Sequence, residues 1–120
     1  MSNLKLPNMS YENLLTLTPE NSAWKKIAYA TFIDQGSLNP NSVRIMHHES
    51  VIAVVSANSV TLDNHGYDSS TTANRLSKIA YDNGIDARIA IRGGEMVVLN
   101  PETLKVDHKF YGPETFSRKV

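Results

Sequence analysis

The spacing of apolar positions along this 120-residue chain changes from two to helical and back again, and these changes divide it into elements. In "KKIAYATFID", Ile27, Tyr29, Thr31 and Ile33 alternate with Ala28, Ala30 and Phe32. That period, with side chains that favour a pleated surface, predicts one strand closed by a turn at Asp34-Gln35-Gly36-Ser37. "SVRIMH" and "SVIAVVS" predict two further strands around His48-Glu49, and a tight turn at Ala57-Asn58-Ser59 leads into "VTLD". Short strands in succession predict an antiparallel meander.

From Thr71 the period becomes helical. Thr72, Leu76, Ile79, Ala80 and Asn83 share one face, Lys78 and Asp82 form an outward i,i+4 pair, and Gly84 supplies a left-handed stop. Alternation returns in "IDARIAIR", with Ala87, Ile89 and Ile91 inward, and Gly93-Gly94 predicts a hairpin to "EMVVLN". "TLKVDHKFYG" adds an edge strand before a polar tail. Upstream, Ser10 is placed to cap a short helix, and Thr18-Pro19-Glu20 has the pattern of a second cap with proline in the first turn.

The expected architecture is a single α+β domain over residues 1–120, with an arm (1–23), a core (24–107) and a tail (108–120). An antiparallel sheet of about five to seven short strands packs against the Leu76/Ile79/Ala80 face of one principal helix, Thr71 to Asn83.

Composition narrows the function. Hydrophobic content of 41% with 20% charged residues is that of an ordinary globular domain. Twelve basic residues balance twelve acidic ones, so no net positive field draws the chain to nucleic acid. The absence of cysteine excludes disulfide frameworks, thiolate zinc sites and cysteine nucleophiles, and fits a reducing cytoplasm. Neither a secretory leader nor a membrane span is expected from the hydropathy pattern.

The stretch "VTLDNHGYDSSTTANRLS" (Val60 to Ser77), with "KKIAYATF" (Lys25 to Phe32) and "VRIMH" (Val43 to His47), resembles a group of small tailed-bacteriophage proteins that carry a "VTLDSGGWRTVTTKDRIN"-like corner. The resemblance spans about residues 24 to 95. It rests mainly on Val60, Leu62, Asp63, Gly66, Thr71, Thr72 and Arg75, with Tyr67 where the group has Trp. His65 stands for a glycine, Asp68 for an arginine and Ala73 for a lysine, so two positive charges are missing from this corner. The resemblance implies phage origin and a shared corner, and brings no activity with it.

Three readings of the corner compete. Gly66 followed by Asp68, Ser69 and Ser70 suffices to turn the chain and cap the helix, with no ligand required. The same helix start, with Thr71, Thr72 and Arg75, also has the donors of an anion site, although Asp68 opposes it and no phosphate-binding glycine loop is present. Asp63, His65 and Asp68 offer oxygen and nitrogen ligands for zinc or manganese at a spacing that is not diagnostic, with His47 or His108 as a conceivable third ligand.

His47 and His48, as successive strand residues, should point to opposite faces, one buried and hydrogen-bonded, the other solvated. No nucleophile elbow surrounds Ser69 or Ser70. Arg88 and Arg92 share the solvent face of their strand with Asp86, and aromatics beside them would suit a protein or a single strand of nucleic acid. The expectation is a non-enzymatic phage accessory protein in the bacterial host cytoplasm. It needs no cofactor or metal and binds a host or phage protein, an inhibitor of a host defence system being one form. The binding residues expected are Tyr67, Asp68, Thr71, Thr72, Arg75, Arg88 and Arg92; the alternatives are a nucleic-acid-binding module and a small metal-dependent hydrolase. The oligomeric state is left open.

Overall fold

The computed structural model describes residues 6–18, 24–35, 42–66 and 68–118. Among the described residues, two helices and nine strands follow in the order α1 (Tyr11–Leu17), β1 (Lys25–Ala28), β2 (Thr31–Gln35), β3 (Ser42–His47), β4 (Ser50–Ser56), β5 (Ser59–Leu62), α2 (Ser70–Asp82), β6 (Arg88–Arg92), β7 (Glu95–Leu99), β8 (Val106–Lys109) and β9 (Glu114–Ser117). The α+β class and the principal helix are as expected, but the strands form two antiparallel sheets: β1-β2-β3-β4-β5-β9 and β6-β7-β8.

Strands β3 and β4 of the meander form where alternation predicts them, because Val43, Ile45 and Val55 are completely buried on one face of the pair. Between them, His48 takes a positive φ of 56° in the tight turn. The expected single strand over "KKIAYATFID" is instead a hairpin. Ala30 adopts φ 50°, and β1 folds back on β2 with Lys25 opposite Ile33 and Ala28 opposite Thr31. The turn is held from outside, since the Ala30 carbonyl accepts the His48 N–H at 2.7 Å and Thr31 Oγ1 donates to the Tyr29 carbonyl at 2.9 Å.

The tail departs furthest from expectation. Residues 114–117 form β9, which closes the larger sheet by pairing Val60 with Phe116 and Thr61 with Thr115, whose hydroxyls lie 2.8 Å apart. Phe110 is buried in the core.

Helix α2 begins one residue earlier than expected and stops on Asn83, with Gly84 at φ 69°. It packs mainly against β6 and touches β4, so Leu76, Ile79 and Ala80 share one buried core with Ile89, Met96 and Val98 from the smaller sheet and Ile52 and Val55 from the larger. Each fully buried aliphatic side chain here contributes about 1.5–3 kcal/mol. Ser77 seals the contact: its hydroxyl donates to the Ile89 carbonyl and accepts the Ile89 N–H at 2.9 Å, satisfying the outer edge of β6.

The arm belongs to this core. Ser10 caps α1, accepting the Asn13 N–H, and Met9 and Leu14 are fully buried. Asn83, only 2% exposed, anchors it by accepting the Tyr11 N–H and donating to the Met9 carbonyl, each at 2.8 Å. Asp82 does pair with Lys78 at 2.8 Å, but the pair is not simply outward, because the same carboxylate accepts the Met9 N–H at 2.9 Å. Thr18 closes α1 through its N–H to Leu14; the rest of the expected second cap, Pro19 and Glu20, and the Gly36-Ser37 turn lie outside the described residues.

Candidate functional site

Where the β3–β4 turn meets the start of α2, the surface opens into a pocket of about 780 Å³. Ala30, Phe32 and Ile52 give it an apolar wall; His47, Asn64, Ser69, Thr71 and Thr72 give it polar groups, and the exposed His48 and Glu49 stand at its rim.

The helix start is built as the corner sequence suggests. Of the three candidate caps, Ser69 takes the role: its Oγ accepts the Thr72 N–H at 3.2 Å and donates to Thr72 Oγ1 at 3.1 Å. The N–H groups of Ser70 and Thr71 have no intrahelical acceptor, as at any helix start, and sit at the positive end of the helix dipole. Asn64 is 7% exposed and braces the corner; its amide donates to Asp68 Oδ1 at 2.9 Å, and its Oδ1 accepts the Gly66 N–H. Asp68 is thus tied to the loop.

Near this entrance two buried nitrogen atoms lack hydrogen-bond partners among the described residues. His47 is 9% exposed, and its Nδ1 is buried with no hydrogen-bond partner. Arg75 is 8% exposed, one helical turn beyond Thr72, and its Nε is likewise buried and unpartnered. Burial, reinforced by the charge of Arg75 and by His48, pushes the His47 imidazole down to about 4, so it is neutral at pH 7. Burial also pushes Arg75 below its ordinary value, yet a guanidinium so basic stays charged.

The larger sheet shows what a compensated arginine looks like. Arg44 forms a two-pronged pair with Asp34, which is 2% exposed, and lies 4.8 Å over the Trp24 ring. Among the described residues no carboxylate pairs with Arg75. A buried cation left alone carries a desolvation penalty of about several kcal/mol, which a bound anion would offset.

The other expected residues are dispersed. Arg88 and Arg92 are exposed on β6, where they flank a shallow groove of about 230 Å³ with Ser70, Asn74 and Ser77, apart from the pocket. Tyr67 lies outside the described residues. Asp63 and His65 are neighbours, but the Asp63 carboxylate accepts the His65 N–H at 2.9 Å and His65 Nε2 bonds the Val51 carbonyl. Among the described residues no three metal-ligating side chains converge.

His47 and His48 differ in burial as expected, but their rings are only 4.2 Å apart, because the positive φ of His48 takes it off the strand path. Sequence reasoning missed His47 as a pocket residue, and missed Asn64 altogether. For Arg75 it recognised the charge but not the burial, although Thr72, Arg75 and Ile79 stand at helical spacing on the face that packs inward.

The resemblance to tailed-phage proteins implies a phage origin, and comparison with protein families agrees on that origin. The chain belongs to the family described as Kyanoviridae Gp96 protein, whose model matches residues 7–117, and is thus a small protein of tailed cyanophages. No curated protein and no solved structure matches it.

Proposed function

We propose that this phage protein works by binding and not by catalysis, and that its ligand places an anionic group in the pocket between the β3–β4 turn and the start of α2. The observation that carries this reading is the Arg75 Nε, buried and without a partner among the described residues, together with the likewise unpartnered Nδ1 of His47, whose imidazole feels the Arg75 charge. An anion there gains the helix dipole and the Thr71 and Thr72 hydroxyls directly, while Arg75, which does not line the pocket, adds its charge from behind. Action in the host cytoplasm, with interference in a host defence system as one form, is the setting in which a small phage-encoded binder operates.

Calorimetric titration with inorganic phosphate and sulfate, on the native chain and on Arg75→Met, tests this. Binding by the native chain that disappears in the folded variant supports the site. Equal responses from both, or none from either, refute it.

A host or phage protein as partner is the second reading, favoured by a different surface. Leu104, Val106 and Tyr111 are 49%, 53% and 70% exposed around β8, which is an edge strand of the smaller sheet. A strand edge flanked by apolar side chains is suited to pairing with another chain. Nuclease-treated pull-downs with the native chain and a Val106→Lys variant decide: one host protein captured by the first and lost by the second supports it. Material removed by nuclease would point instead to nucleic acid at Arg88 and Arg92.

A further inference from the structure

The pocket is much larger than a bare anion requires. Its roughly 780 Å³ falls within the 300–1,000 Å³ typical of sites that enclose small organic molecules. Its two sides also differ in chemistry. One side carries the helix start with Ser69, Thr71 and Thr72, near His47, whose imidazole feels the charge of Arg75. The other side is Ala30, Phe32 and Ile52, with the His47 and His48 rings alongside. Exposed Tyr29 meets His48 edge-on at 6.4 Å, extending the aromatic surface at the rim.

Resting on the anion-binding reading above, we infer that the ligand is a phosphomonoester bearing a planar heterocycle, of the size and kind of a nucleoside monophosphate. The tetrahedral phosphate suits several donors arriving from different directions: the free Ser70 and Thr71 N–H groups and the adjacent hydroxyls. A planar ring finds a partner in Phe32 and the imidazoles, where stacking is tolerant of ring identity. Glu49 at the rim can accept from an amine or hydroxyl. An inorganic ion would leave the apolar wall wet and most of the volume unused.

The test is calorimetric titration of the full chain with four probes, adenosine monophosphate, inorganic phosphate, ribose 5-phosphate and adenosine, with amide chemical shifts followed in parallel. The nucleotide is expected to bind at least about tenfold more tightly than each of the other three, with shifts centred on Phe32, His47, Thr71 and Thr72. Thr71→Glu is expected to weaken the nucleotide by about tenfold or more without loss of thermal stability, because an exposed acidic residue in the first turn suits the helix dipole while opposing the phosphate. Phosphate or ribose 5-phosphate binding as tightly as the nucleotide would overturn the heterocycle and leave the anion site standing. Adenosine equal to the nucleotide, or a nucleotide affinity unmoved by Thr71→Glu, would overturn the phosphate placement. If neither phosphate nor nucleotide binds, both this inference and the anion site fall.

Discussion

Gly112 lies so close to Asp63 that a β-carbon added to it would stand 2.8 Å from Asp63 Oδ1, 3.1 Å from Asp63 Cα and 3.1 Å from the Asn64 nitrogen. Two of those three atoms are backbone and cannot rotate away. The segment between β8 and β9 is thereby seated directly on the corner that shapes the pocket. Gly112→Ala is expected to lower the unfolding free energy by about 1–3 kcal/mol, the usual range for overpacking. Denaturant unfolding measures it, and a neutral variant would show that the corner yields.

Arg75→Met should have opposite effects on stability and binding. Removing an uncompensated buried charge while keeping an apolar stem is expected to stabilise the unliganded protein by about 1–3 kcal/mol. It should abolish the stabilisation that phosphate confers on the native chain. Thermal unfolding with and without phosphate checks both, and a large destabilisation of the ligand-free variant would mean that Arg75 is a structural element.

The histidines give pH dependences of opposite sign. His47 titrates at about 4 in the folded chain and near its ordinary value of 6.5 when unfolded, so between these values the unfolded state binds more protons. The stability tied to His47 is present above about pH 6.5 and is lost as pH falls toward 4, on the order of 3 kcal/mol in all. His47→Phe should flatten the acid limb of a stability-versus-pH curve.

His108 behaves conversely. Its hydrogen bond to Glu114, at 2.7 Å, raises its pKa, with Asp107 helping. The stabilisation it provides is complete below its unfolded pKa and disappears as pH rises through the higher folded value. With the side chain 45% exposed, solvent screening keeps the effect small. Glu114→Gln should bring the His108 titration, followed by NMR, back toward the ordinary value.

Asn83→Ala should detach the arm. The carboxamide accepts from Tyr11 and donates to Met9 and Ile79 in a buried setting, so deletion leaves several polar groups unpaired, at a cost of about 2–4 kcal/mol. Hydrogen exchange should show residues 9–17 and β9 losing protection together, before the rest of the sheets.

Features governed by neighbouring residues were legible in the sequence. Ser10 and the hydroxyl cluster at Ser69 foretell helix starts, Gly84 a helix end and Gly93-Gly94 a hairpin, because each has a local backbone requirement. The Tyr29-Ala30 turn was not legible, since neither residue favours a positive φ and the turn depends on His48 from another hairpin. Strand β9 was hidden because its partner lies 54 positions upstream at Thr61, beyond any periodicity. The pocket was hidden for a related reason: His47, Asn64 and Ser69 belong to different elements, and an arginine on a helix is ordinarily assigned to solvent.

Arg118 reaches back across the molecule to clasp the Glu12 carboxylate at 2.7 and 3.2 Å, while bonding the carbonyls of Ala57 and Asn83 and lying over the Tyr11 ring. Glu12 is held below its ordinary pKa by that contact. A loop spanning 106 positions is thus closed by one side chain, and closure entropy grows only slowly with length. The arm, the β4–β5 turn, the end of α2 and the strand that completes the larger sheet share a single fastening. They should therefore open as one cooperative unit instead of fraying independently, so a change at any one of them is felt at the other three.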